Sequence, residues 1–164
     1  MSGDWHLNNC VVAFIVAPVE QVWQALTDPL MTKAYFIGAT VEVGEEGGRY
    51  TVTRDKKTDV TGKVLVKEPP TRLRVTWEVK APRNITLPNC EVEYLVEPAA
   101  TPDGGEVTKL TVSEFIDGEA PARFVVAGRT GWGLIVSGLK TYLESGQPLP
   151  RVALGPLIQS DARP

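Results

Sequence analysis

A single long amphipathic helix near the C-terminal end decides what the rest of this chain must build. It opens by Pro121 and closes at Leu143-Glu144-Ser145-Gly146. Val125, Trp132, Ile135, Leu139 and Leu143 recur at helical spacing and form one stripe, with Gly128 in step between the first two. So long a stripe needs a large apolar partner. Residues 37–116 supply it, because they read as short strands separated by Gly, Pro and Asp turns. A long helix laid across a curved antiparallel sheet leaves an apolar space between the two, and a binding cavity is expected there.

The chain has 164 residues, of which 43% are apolar, enough for one domain with a real core. We place that domain at 1–149 and read 150–164 as an extended C-terminal tail. The net charge of −3, with no long basic run, argues against nucleic acid as a partner. The N-terminus, Met-Ser-Gly-Asp-Trp-His, has neither a charged n-region nor a secretory h-region, and no apolar run approaches a membrane span. A cytoplasmic protein is expected. Cys10 and Cys90 lack neighbouring Cys or His at metal-ligand spacing, so they are read as reduced thiols acting as small buried hydrophobes, with no metal and no cofactor. His6, the one histidine, sits in the lead-in and is read as a loose surface side chain.

Residues 7–16 read as a first strand that stops at Ala17-Pro18. Pro18 suits a helix start, Glu20 favours its positive end, and Val19, Val22, Trp23 and Leu26 make an apolar face. Thr27-Asp28-Pro29 ends that helix, and Asp28 caps a second through Leu30, Met31 and Ala34. Strands are expected at 37–43, 49–55, 59–67, 72–80, 90–97 and 107–116, with turns at Glu45-Glu46-Gly47-Gly48, Asp55-Lys56-Lys57-Thr58, Glu68-Pro69-Pro70 and Pro102-Asp103-Gly104-Gly105.

Alternation assigns the faces. Leu73, Val75, Trp77 and Val79 share one side of a strand and Arg72, Arg74, Thr76 and Glu78 the other; Val92, Tyr94 and Val96 oppose Glu91, Glu93 and Glu97. The sheet therefore has one wet and one apolar face. Two apolar rows carry a charge: Tyr50, Val52 and Arg54, and Leu110, Val112 and Glu114. An inward charge is costly unless paired with another charge, water or a ligand. Alternatively, Arg54 snorkels out at a strand end and a bulge turns Glu114 to solvent. Trp23, Trp77 and Trp132 serve either as core or as a stacking surface, whereas Tyr35, Tyr50 and Tyr94 keep a hydrogen-bonding tip on an apolar body and suit a cavity that orients an amphipathic molecule.

Three segments carry a family resemblance: Ala17-Pro18-Val19-Glu20-Gln21-Val22-Trp23-Gln24-Ala25-Leu26-Thr27-Asp28-Pro29; Gly62-Lys63-Val64 with Pro69-Pro70-Thr71-Arg72-Leu73-Arg74-Val75-Thr76-Trp77-Glu78; and the closing helix from Gly131-Trp132 to Gly146. Together they resemble the START-like (SRPBCC) superfamily, in the group related to the C-terminal domain of activators of the ninety-kilodalton heat-shock ATPase. The resemblance spans about residues 7–149. It implies an α+β helix-grip fold, a curved antiparallel sheet wrapped around the C-terminal helix with a hydrophobic cavity between. It also implies ligands such as lipids, sterols or polyketides, aromatase/cyclase activity in some members, and chaperone assistance or a stress-response role in others. Tyr35-Phe36 stands where Trp is frequent in relatives, and Glu114 near a common His, which removes support for His-assisted chemistry.

The function expected is non-catalytic binding of a small apolar or amphipathic ligand. Val52, Val75, Trp77, Val112, Val125, Trp132, Ile135 and Leu139 make the walls; Tyr35, Tyr50, Arg54, Tyr94 and Glu114 orient the ligand. The alternatives are a co-chaperone or regulatory module, and a cyclase or dehydratase moving protons with Glu114, Tyr94 or Arg54. In the tail, Leu154, Leu157 and Ile158 are expected to dock in extended form on their own domain or on a second copy in a homodimer.

Overall fold

The first strand, β1 (Trp5–Ile15), alternates Asn9, Val11, Ala13 and Ile15 inward with Cys10, Val12 and Phe14 outward. Residues 3–80 and 83–152 of the computed structural model are described here. The chain leaves β1 through Ala17-Pro18 into α1 (Val19–Thr27), whose Val22, Trp23, Ala25 and Leu26 are buried. Asp28 ends α1, and its carboxylate accepts from the Leu30 amide at 2.9 Å to cap α2 (Pro29–Tyr35). This is the two-helix corner that the Thr27-Asp28-Pro29 run dictates.

Seven further strands follow: β2 (Thr40–Val43), β3 (Arg49–Arg54), β4 (Lys57–Glu68), β5 (Arg72–Thr76), β6 (Glu78–Val79), β7 (Asn89–Ala99) and β8 (Val107–Asp117). They form one antiparallel sheet in the order β1-β8-β7-β5-β4-β3-β2, with β6 paired to β4. The last helix, α3 (Ala122–Ser145), closes at Gly146 in the left-handed conformation and covers the inner face. The fold is a helix grip, as expected.

Two strands are shorter than their sequences suggest. The run expected at 37–43 begins only at Thr40, because Ile37 and Gly38 both take positive φ, 52° and 73°, and reverse the chain. The run expected at 72–80 breaks at Trp77 into β5 and β6, and the register shift of β4 between Val64 and Val66 lies earlier, opposite Val75 and Arg74. Gly62 lies opposite this break, and a Cβ there would fall on the Thr76 carbonyl oxygen. Beyond it Val79 pairs with Val60 and is largely exposed, so the expected inward row ends at Trp77.

On the wet face Arg72 pairs with Glu93 at 2.8 Å and Arg74 with Glu91 at 2.7 Å, and the Arg74 guanidinium covers the Phe115 ring at 4.6 Å. Cys10 lies on this face and is exposed, not buried as its residue type suggests, because it falls in the outward register of an edge strand. Both cysteines are free. The tail residues Leu154, Leu157 and Ile158 lie outside the described residues.

Candidate functional site

Helix α3 touches the sheet unevenly, and the cavity follows from that. Its buried residues, Trp132, Ile135, Val136, Gly138 and Leu139, all lie in one stretch, and none falls in 122–131. At Gly138 the helix backbone comes close enough to α2 that a Cβ would sit 3.0 Å from the Tyr35 carbonyl oxygen. Further toward the N-terminus the seam carries Gly128 and Gly131, and a Cβ at Gly131 would meet nothing within 4 Å. The first half of α3 therefore touches β1 and β8 at Gly128, through Asn9 and Glu114, and faces open space at Gly131. The space beneath is a cavity of about 840 Å³, walled by Phe124, Val125, Trp132 and Ile135 from α3, by Trp77 and Ile116 from the sheet side, and by Ile85 and Leu87 from the segment before β7.

The floor is aromatic. The Trp77 and Trp132 rings lie 5.2 Å apart, and Trp132 also meets Phe36 and Tyr94, each edge-on at 6.0 Å. Glu114 enters this surface from β8. Its Oε1 accepts from the Asn8 side-chain amide at 2.7 Å and from that of Asn9 at 3.1 Å, and its Oε2 accepts from the Trp132 indole N–H at 3.2 Å. A register shift between Leu7 and Asn9 is what lets two consecutive asparagines reach one carboxylate. Arg129 Nε donates to the Asn9 side-chain Oδ1 at 3.3 Å and so turns the Asn9 side-chain nitrogen toward Glu114.

Of the residues expected in the cavity, Trp77, Glu114, Val125, Trp132 and Ile135 line it. Val52, Val75, Val112 and Leu139 are packed in the solid core beyond. Arg54 is elsewhere: past a register shift between Val52 and Thr53 it donates to the Ile37 carbonyl at 2.7 Å and pairs with Asp59 at 2.9 Å. Tyr35 donates to the Ala25 carbonyl at 2.7 Å and fixes the helical corner. Tyr50 and Tyr94 share a hydrogen bond of 3.1 Å under the floor, each at most 2% exposed. Of the three groups considered for moving protons, Glu114, Tyr94 and Arg54, only Glu114 lines the cavity.

Residue patterning does not point to Asn8, Asn9, Arg129 or Cys90 as neighbours of the cavity. The Asn8-Asn9 pair does leave a signal: two poor strand formers in succession inside an otherwise β-branched run.

Burial holds the Tyr35, Tyr50 and Tyr94 phenols above their ordinary value of 10.0. It raises the Cys90 thiol above 9.0, with the charges of Glu114 and Glu91 adding to the effect. As pH climbs through these ordinary values, the unfolded chain releases protons that the folded one keeps. The stabilisation is complete below about pH 9 and is lost above it, by roughly 1.4 kcal/mol per group per pH unit. Urea denaturation should show a sharply lower midpoint at pH 10.5 than at pH 8; an unchanged midpoint contradicts the burial of these groups.

The fold recurs in known proteins. The family described as Activator of Hsp90 ATPase homolog 1-like protein matches residues 16–144, and the chain belongs to it. DynU16, described as a putative protein in the dynemicin biosynthetic locus, is 28% identical with a TM-score of 0.69. That alignment covers 90% of this chain and 49% of DynU16, so the chain spans about half the length of that relative. CalU16 from Micromonospora echinospora (23% identity, TM-score 0.64, 93% of this chain and 81% of that one) shares the fold. So does the Aha1 dimer from Colwellia psychrerythraea (19%, 0.63, 89% and 98%). No curated protein matches the chain. Among the described residues, no helix is long and apolar enough to cross a membrane.

Proposed function

We propose that this member of the Activator of Hsp90 ATPase homolog 1-like family binds a small apolar or amphipathic molecule between the first half of α3 and the Trp77 end of the sheet. The observation that carries the reading is the open space at Gly131 in a cavity that the paired Trp77 and Trp132 rings also line. Burial of apolar ligand surface drives binding at about 25 cal/mol per Å², and the single inward carboxylate sets orientation.

The test is a variant that fills the space without disturbing the fold. Gly131→Trp places its side chain where a Cβ meets no atom, and it removes a helical glycine, which stabilises the helix by about 0.5 kcal/mol. Nile red, a neutral dye that brightens in apolar surroundings, should bind the native protein and bind Gly131→Trp at least about tenfold more weakly, with the melting temperature of the variant held or raised. Equal binding by both proteins, or none by the native one, removes the proposal.

The description of the family favours a second reading, regulation of a heat-shock ATPase through the outer surface. ATPase rates measured with and without saturating protein decide it, an unchanged rate counting against.

A further inference from the structure

The cavity has a sign. Among the described residues three glutamates border it, Glu78, Glu91 and Glu114, and no Lys or Arg does. Glu91 is neutralised by Arg74 on the wet face, and Glu78 is exposed in β6. Glu114 remains. Its three hydrogen-bond donors, the amides of Asn8 and Asn9 and the Trp132 indole, are all uncharged, and among the described residues no ion pair includes it. Neutral donors hold a carboxylate in place without cancelling its charge. The nearest guanidinium in the network, that of Arg129, is turned to the Asn9 side-chain Oδ1 and is not part of the cavity wall.

A carboxylate has about four lone-pair positions, and three are used here. Oε1 takes two donors, whereas Oε2 takes only the indole, so among the described residues one acceptor position on Oε2 has no donor, and Glu114 lines the cavity. The Trp77 and Trp132 rings line the same cavity, and aromatic rings attract a cation. From this we infer that the ligand is a cationic amphiphile, an aromatic or aliphatic body carrying a protonated amine that donates to Glu114 Oε2. The same charge works against fatty acids and other anionic amphiphiles. The inference rests on the cavity reading above and narrows it to one ligand class.

Three probes with one naphthyl body separate the two claims: 2-naphthylmethylammonium, 2-naphthylmethanol and 2-naphthoate, each titrated calorimetrically at neutral pH into native protein, Glu114→Gln and Gly131→Trp. The ammonium should bind native protein about tenfold or more tightly than the alcohol, with the carboxylate weakest, as a charge-assisted hydrogen bond requires. Glu114→Gln should erase the ammonium's advantage over the alcohol, since the volume is kept and one charge removed. Gly131→Trp should weaken all three. If the alcohol or the carboxylate binds native protein as well as the ammonium does, and Gly131→Trp still blocks binding, the cation inference is overturned while the cavity reading stands. An ammonium preference that survives in Glu114→Gln also overturns it. If no probe binds native protein, the cavity reading fails and takes the inference with it. Should Glu114→Gln not fold, the ranking of the three heads on native protein decides alone.

Discussion

Trp132→Ala should destabilise the protein by about 4 kcal/mol, the cost of deleting a large buried aromatic without collapse of the space it leaves. The indole is 4% exposed and joins α3 to several elements of the core. It packs on Phe36 beyond α2, on Trp77 at the break between β5 and β6, and on Tyr94 in β7, and it holds Glu114 through its N–H. Trp132→Phe divides this effect. It keeps most of the ring packing and removes only the hydrogen bond to Glu114, which should cost about 1–2 kcal/mol. Urea denaturation of the three proteins gives both numbers. An alanine variant within about 1 kcal/mol of native would mean that α3 is not seated by this ring, and the account of the cavity floor would fall with it.

Glycine-to-alanine changes at Gly62 and Gly131 should move stability in opposite directions. At Gly62 the new Cβ would land on the Thr76 carbonyl oxygen, a backbone atom of a residue paired with Glu91 of β7. Relief requires β4 and β5 to separate, and a loss of about 3 kcal/mol is expected. Because Trp77 directly follows Thr76, the same displacement should disturb the cavity wall and weaken dye binding. At Gly131 the added methyl meets no atom and removes the flexibility of a mid-helix glycine, so a gain of up to about 1 kcal/mol is expected. Thermal melts of the two variants check the pair. A Gly62→Ala protein as stable as native would show that the strand break is not built around the missing side chain.

Element order, helix positions and the two faces of the sheet are local properties, and the residues alone determine them. Strand alternation has a period of two and helix amphipathicity a period of 3.6, so each segment reports its own buried side: Val92, Tyr94 and Val96 inward, Arg72 and Arg74 outward, Trp132, Ile135 and Leu139 on one stripe. The family is likewise legible in short ordered segments, and residues 16–144 match it. What alternation cannot report is where a register slips, because a bulge depends on the strand alongside. Arg54 and Glu114 look equivalent in sequence, each a charge closing an apolar row. The shift after Val52 sends Arg54 to Asp59 and the Ile37 carbonyl, while the shift at Leu7/Asn9 brings two asparagine amides to meet Glu114. The tyrosines differ for the same reason. Tyr50 and Tyr94 reach the interior as expected, yet they come from strands separated by 44 positions, and only the assembled sheet sets their hydroxyls 3.1 Å apart and closes them off from the cavity. The contacts that make the site join residues far apart in the chain, Asn9 with Arg129 and Glu114 with Asn8 and Asn9. No periodicity within a segment encodes them, and tertiary packing alone decides which inward polar group is left facing open space.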